Sequence, residues 1–454
     1  METKIASLTH WLNDNGQFQL SENICVNENE ISGRGVTLSS GIIRQNQPIV
    51  SVPSACQLNF HTVLYHISKF NSRIRIPNVT EKAETDKIKE NELDPRYRAY
   101  GILNQDFLLN LSSFQLLELY ILGEWILLPL WSGNQIKSFW EPYFAVWPSQ
   151  DELKSFPAVW KCSKRSDYKD LLDLLPTASK NNMLRISNLV ENDWQKISPI
   201  LNAWNDLFQS PLPLEDQFEK FLHIYCIINS RCLYTEVPLK KDDILSKFTM
   251  VPFVDFLNHT QDVDLHCFPK MESLNRSSHG LGPFSIYCGN HTYQTVGEEV
   301  LLNYGAHSND FLINEYGFVI PNNKWNYIDI TPEVINMVKD STIQKFLENN
   351  GYWGDYTVSA EDASYRVIVA LSLIVTGDFR RVEKLLMGYI SEDFFLPKIK
   401  PMLYKILAQL KDRSMACIRT LEKNANPDFC RQNLVIIHQD YIEIIEKNLS
   451  KICT

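Results

Sequence analysis

The chain has 454 residues, 44% hydrophobic and 22% charged, an ordinary globular balance that excludes wholesale disorder and collagen-like repeats. Lys and Arg number 44 against 54 Asp and Glu, a net charge of −10. An acidic chain is a poor general binder of nucleic acid and suits a basic, lysine-rich protein better.

Residues 4–13 read as a short amphipathic helix, with Leu8, Trp11 and Leu12 on one side. From 24 to 60 the texture is one of short strands, with Gly33-Arg34-Gly35 and Ser39-Ser40-Gly41 as turns between them. The β-branched run 49–52 stops at Pro53. Residues 71–98 are polar and charge-dense, without an apolar period, and read as a surface loop or disordered insertion. The pattern is helical from 102 to 235. Strand texture returns at 249–253, 284–288 and 299–304. After about 330 the chain is helical, with three- and four-residue apolar spacing over 360–376, 378–390, 398–424 and 431–452. The two strand-rich pieces are each too small for a core of their own, so one domain interrupted by a helical insertion is expected. No internal repeat is visible.

The apolar stretch 116–131 contains Glu118, Glu124 and Pro129 and reads as too short to span a bilayer. The start, Met1-Glu2-Thr3-Lys4, lacks an apolar leader core. These features predict a cytoplasmic protein, with nuclear entry left open, and no membrane partner. The cysteines are dispersed without a CxxC pair, as expected of reduced thiols.

Three motifs carry chemistry. Gly33-Arg34-Gly35 lacks the Gly-Lys-Ser/Thr of a phosphate loop and the third glycine of a dinucleotide fingerprint, yet such a glycine pair lets backbone approach a small ligand. The run 251–257 is apolar apart from Asp255 and ends abruptly in Asn258-His259; burial does not account for these polar residues, which need partners. His266, Cys267 and Cys288 follow without zinc spacing, so no metal is expected. Gly297-Glu298-Glu299 then leads through an apolar strand to Asn303-Tyr304-Gly305, followed by Tyr316-Gly317-Phe318. Aromatics flanked by glycines can wall a narrow channel for a cationic side chain.

Taken in order, Ser32-Gly33-Arg34-Gly35, Asn229-Ser230-Arg231, Asp255-x-x-Asn258-His259, Glu298-Glu299 to Asn303-Tyr304-Gly305 and Tyr316-Gly317-Phe318 resemble the SET-domain protein-lysine methyltransferases. The split domain and helical tail are similar to the RuBisCO large-subunit methyltransferase branch, and within it to fungal ribosomal-protein lysine methyltransferases. The resemblance implies an α+β fold. Its β-rich SET domain, over about 20–320, would hold a pseudoknot and an insertion near 62–228; an all-α substrate-binding domain would follow over 330–454.

It also implies methyl transfer from S-adenosylmethionine to a lysine of a non-histone protein, a basic ribosomal protein in particular, by a monomer. Tyr304 would be the catalytic tyrosine. Ser32, Gly33, Arg34, Arg231, Asp255, Asn258, His259, Tyr316 and Phe318 would meet the cofactor, and Arg231, Asp255, Tyr304 and Tyr316 the substrate lysine. Two other readings remain beside this one: a catalytically silent SET-fold module that binds a protein segment, and a protein-histidine methyltransferase.

Overall fold

The computed structural model describes residues 1–29, 33–80, 94–209, 212–235, 237, 239, 247–271, 281–423 and 428–453. Ser32, one of the expected cofactor contacts, lies outside them, as do residues 81–93 of the predicted polar insertion. The chain divides into two units: Met1–Leu153 with Asn188–Gly305, and Lys154–Ser187 with Ala306–Thr454.

In the first unit, helix Glu2–Asp14 buries Leu8, Trp11 and Leu12, the stripe its spacing predicts. The strands are β1 (Gln19–Leu20), β2 (Ile24–Asn29), β3 (Gly33–Leu38), β4 (Pro48–Val52), β5 (Leu58–Asn59), β6 (Cys232–Tyr234), β7 (Phe248–Met250), β8 (His266–Met271), β9 (Phe284–Tyr287) and β10 (Leu301–Leu302). They form a five-stranded sheet in the order β1-β4-β9-β8-β10, a three-stranded sheet β5-β7-β6 and the hairpin β2-β3. All neighbours are antiparallel except β10 and β8. The β-branched run predicted at 49–52 is β4, with Ile49, Val50 and Val52 buried.

Gly33-Arg34-Gly35 is not the turn its composition suggests. It opens β3 and pairs with β2, Gly33 opposite Asn29. Gly33 has φ +67°, a left-handed conformation that glycine adopts without steric cost.

Helices supply the rest of this unit. Asn59 caps helix Phe60–Ser68 through a reciprocal box with Thr62. The predicted loop over 71–98 is partly wrong: Ile74, Ile76 and Val79 are buried, and Pro95–Gly101 is a helix capped by Asp94. Charge density hid its short apolar face, Ala99 and Tyr100.

The apolar stretch is longer than its sequence suggested. Ser113–Ser132 is a continuous helical run of 20 residues, long and apolar enough by length and composition to cross a bilayer. Here it is a core element, with 67% of its apolar window buried. Its buried Glu124 accepts hydrogen bonds from Tyr100 and Ser138 and faces Arg96 at 3.6 Å. Such partners offset part of the cost of burying a carboxylate.

The second unit has one apolar cluster. It is built from helices Tyr365–Thr376, Phe379–Leu386, Leu396–Glu422 and Phe429–Cys453, the four predicted from apolar spacing. Two strands that the spacing does not announce, Tyr327–Asp329 and Thr357–Ser359, pair antiparallel. Each is three residues long, too short for a period-two signal.

A buried polar seam crosses this unit. Asp440 accepts from the side chains of Asn309 (2.9 Å) and Asn326 (2.7 Å) and from the Asn322 backbone (3.2 Å). Asp310 accepts from Ser179 (2.7 Å) and Tyr441 (3.0 Å). Burial pushes both carboxyls up to about 6, against the hydrogen bonds that favour ionisation.

A raised native pKa means the folded state holds the proton more tightly than the unfolded chain. The resulting stability is full below about pH 4 and lost as pH rises toward 6. Asp310→Asn should remove its share. The stability difference between wild type and variant, read from urea unfolding, should fall by up to about 3 kcal/mol between pH 4 and pH 7. A pH-independent difference would show that Asp310 does not titrate there.

Candidate active site

The site is organised by residues 297–304, which are hydrogen-bonded along both edges. On one side Leu38 N donates to Glu298 O (2.8 Å) and Val300 N to Val36 O (2.7 Å). On the other, Leu302 N donates to Asn258 O and Thr260 N to Leu302 O, both 2.8 Å, in a parallel bridge. Three stretches of chain, 33–38, 258–260 and 297–304, are thereby brought side by side.

Side chains reinforce this junction. Asn258 Nδ2 donates to Arg34 O (3.0 Å) and to Glu299 Oε1 (2.7 Å), tying one member of each stretch together. Gly35 leaves no room for a side chain in this packing: a Cβ would stand 2.3 Å from Glu299 Oε1 and 2.9 Å from Asn258 Nδ2, so one or both would have to shift. The Arg34 side chain points to other partners, the Val146 carbonyl and Glu152 (2.8 Å), so at this position the backbone faces the junction.

Tyr304 ends the segment. Its hydroxyl donates to Leu257 O (2.7 Å), and its amide donates to His259 Nδ1 (3.0 Å). The two rings stack at 5.1 Å with 29° between planes. Because Nδ1 accepts, a neutral His259 carries its proton on Nε2. Burial raises the Tyr304 hydroxyl above its ordinary pKa; Asp255 and Glu299 push the same way and Arg231 opposes them. Tyr304 is therefore a neutral hydroxyl at physiological pH, able to donate and accept but not a phenolate.

Phe253 precedes a single 3-10 turn, Val254–Phe256, at φ +71°, and the turn places the Asp255 side chain in full burial. Arg231, the last residue of helix Leu214–Arg231, reaches it. Its Nη1 donates to Asp255 O (2.9 Å) and Oδ2 (3.3 Å). Tyr143, on helix Glu141–Phe144, donates its hydroxyl to the same Oδ2 (3.2 Å). Burial raises the Asp255 pKa, with Arg231, Tyr143 and Arg34 pulling it back. Among the described residues, Asp255 Oδ1 and Arg231 Nε are both buried without a hydrogen-bond partner.

Of the expected site residues, Gly33, Arg34, Arg231, Asp255, Asn258, His259 and Tyr304 thus lie in the first unit, linked by these bonds and this stretch of chain. Tyr316 and Phe318 belong to the second. There they flank Gly317, whose φ is +78° and whose carbonyl accepts from Ser155 (2.7 Å) and Asn433 (3.4 Å); the two rings are 6.1 Å apart. Among the described residues no group of three or more His, Cys, Asp or Glu is arranged to hold a metal.

Sequence reading passed over two participants. Glu299 stood in a noted motif, but a carboxylate facing an amide is invisible in sequence. Tyr143 sits 112 residues from Asp255 in a helix of four residues, and nothing local marks it.

The fold is that of the SET-domain methyltransferases. The SET domain of LSMT bound to lysine and AdoHcy superposes with a TM-score of 0.57 at 14% identity, over 100% of this chain and 91% of that one. Rubisco LSMT bound to AdoMet gives 0.56 at 15%, over 99% and 91%.

Sequence relatives narrow the class. The chain is 46% identical to ribosomal lysine N-methyltransferase 2 of Saccharomyces cerevisiae, over 99% of both chains. It is 24% identical to ribosomal lysine N-methyltransferase set11 of Schizosaccharomyces pombe, over 54% of this chain and 60% of the other. Residues 326–451 match the family model described as the ribosomal lysine N-methyltransferase 2 C-terminal domain. The chain belongs to the ribosomal lysine N-methyltransferase 2 family, whose cofactor is S-adenosylmethionine.

The close approach at Gly35 makes a direct test of the junction. Gly35→Ala should lower stability by about 1–3 kcal/mol, since Asn258 and Glu299 must separate to admit the methyl group. Thermal unfolding would measure it, and an unchanged midpoint would show that the junction gives way freely.

Proposed function

We propose that this S-adenosylmethionine-dependent lysine methyltransferase modifies a lysine ε-amine of a basic ribosomal protein. It acts as a cytoplasmic monomer and uses neither nucleic acid nor a membrane as partner. The observation that carries the reading is the Tyr304 hydroxyl, fixed by Leu257 O beside His259 and Asn258, with the buried Asp255 on the adjoining turn paired to the half-buried Arg231.

S-adenosylmethionine, when bound, supplies a methyl group made electrophilic by a sulfonium charge. Two features fit it. Arg231 Nε is buried without a partner, as suits a guanidinium that meets an amino-acid carboxylate. At Gly33 nothing among the described residues stands within 4 Å of a Cβ position, which fits close approach of a ligand to the backbone. Ser32, Gly33 and Arg34 would contact the cofactor through backbone, Arg231 through its guanidinium, and Asn258 and His259 from the stretch bridged to Leu302. Asp255 would lie near the lysine.

A lysine amine attacks only when neutral. An apolar channel disfavours the ammonium and lowers its pKa, so no strong base is needed. The Tyr304 hydroxyl orients the amine and accepts weak C–H···O contacts, and alignment of the reacting atoms supplies most of the acceleration. We assign 20–320 to the SET domain and 330–454 to acceptor docking. Complementary charge then brings a basic substrate to an acidic enzyme.

Tyr304→Phe should bind S-adenosylmethionine normally by calorimetry and lose turnover by roughly 100-fold or more. Transfer of labelled methyl to ribosomal proteins from cells lacking this enzyme would measure that loss. Unchanged turnover would remove Tyr304 from the mechanism. Methyl-histidine rather than methyl-lysine in the hydrolysed product would overturn the lysine assignment.

A further inference from the structure

The Asp255 carboxylate is asymmetric. Its side chain is fully buried, Oδ2 takes both Tyr143 (3.2 Å) and Arg231 (3.3 Å), and Oδ1 takes no donor among the described residues. A buried acceptor without a partner costs free energy, on the order of 1–3 kcal/mol, and such an atom calls for an explanation. The oxygen left open lies on the residue that the proposed function sets beside the incoming lysine.

From this geometry we propose that Tyr143 is a positioning residue for methyl transfer. Its hydroxyl, together with Arg231, occupies Oδ2 and fixes the carboxylate rotamer, so that Oδ1 stays open to accept an N–H of the substrate amine. This rests on the reading of Asp255 as a lysine contact and adds a residue from outside the strand-rich stretches.

The arrangement has a chemical reason. With Oδ2 held by two donors, the carboxyl plane cannot rotate without breaking both bonds. One N–H of the amine on Oδ1 and the Tyr304 hydroxyl nearby would leave the nitrogen lone pair directed by two fixed groups. Tyr143 is itself fully buried and packed edge-on against Trp147, ring centroids 5.1 Å apart, so it has little freedom to aim elsewhere. The charged and titratable groups facing Asp255 are Arg231 from the helix ending there, Arg34 from β3, Tyr143 and Tyr304. Arg231, Arg34 and Tyr143 favour the ionised carboxylate.

The test compares Tyr143→Phe, Asp255→Asn and the double variant in the full-length enzyme. The acceptor is ribosomal protein from cells lacking this enzyme, and S-adenosylmethionine binding is read by calorimetry. Tyr143→Phe keeps the ring and its packing. It should lose roughly 10- to 100-fold in kcat/KM for the acceptor, with cofactor affinity unchanged. Removing a donor to the carboxylate raises its pKa, so the acid limb of the kcat/KM profile should move up by roughly one pH unit. The double variant should be no worse than Asp255→Asn alone, because Tyr143 acts only through that carboxylate.

A role confined to packing would lower stability without moving the acid limb, and that result would overturn the proposal. So would additive losses in the double variant. If Asp255→Asn is impaired while Tyr143→Phe is not, the Tyr143 assignment alone fails. If Asp255→Asn leaves acceptor kinetics intact, the lysine-contact reading fails and Tyr143 with it.

Discussion

Residues 297–304 are the constraint on which the first unit turns. A backbone segment with neighbours on both edges has its donors and acceptors committed, so its register cannot drift. Val36, Val300 and Leu302 are buried along it. Tyr304 emerges where this fixed segment ends, and His259 receives its amide there. The tyrosine is therefore located by main-chain bonding of segments far apart in sequence, and its side-chain hydroxyl is tied to Leu257.

Buried carboxylates in the two units make an informative contrast. Asp310 and Asp440 each have both oxygens occupied by protein donors, as expected of groups that hold a fold together. Asp255 is buried at least as completely but keeps one oxygen without a partner, and its guanidinium neighbour keeps one nitrogen likewise. A structural ion pair would gain by satisfying those atoms. Leaving them open costs stability, and stability is what sites for polar ligands commonly give up.

Much of this was legible in the sequence because it was local. Leu8, Trp11 and Leu12 share a helix face, and the four long C-terminal helices follow from apolar spacing. Asn258, His259 and Tyr304 stood out as polar or aromatic residues closing apolar runs, and the structure joins them. What was missed has a common cause. Gly33-Arg34-Gly35 reads as a turn by composition, but pairing with β2 makes it strand. Helix Pro95–Gly101 is too short to show a period against its charged flank. The bonds from Glu299 to Asn258 and from Tyr143 to Asp255 cross 41 and 112 residues, and no local rule reports a partner that distant.

The bond between Asn258 and Glu299 also bears on how the protein ages. Side-chain amides of asparagine hydrolyse slowly, taking up water and releasing ammonia, and the product differs by one non-hydrogen atom: Asn258 would become an aspartate. At most positions on a surface that change is small. Here the lost nitrogen is the donor to both Arg34 O and Glu299 Oε1, the latter only 2.7 Å away. An oxygen in its place would set one carboxylate against another and against a carbonyl, at the point where three stretches of chain meet. Chemical damage to a single amide would thus act as a wedge driven into the junction, leaving the helical unit's own core intact.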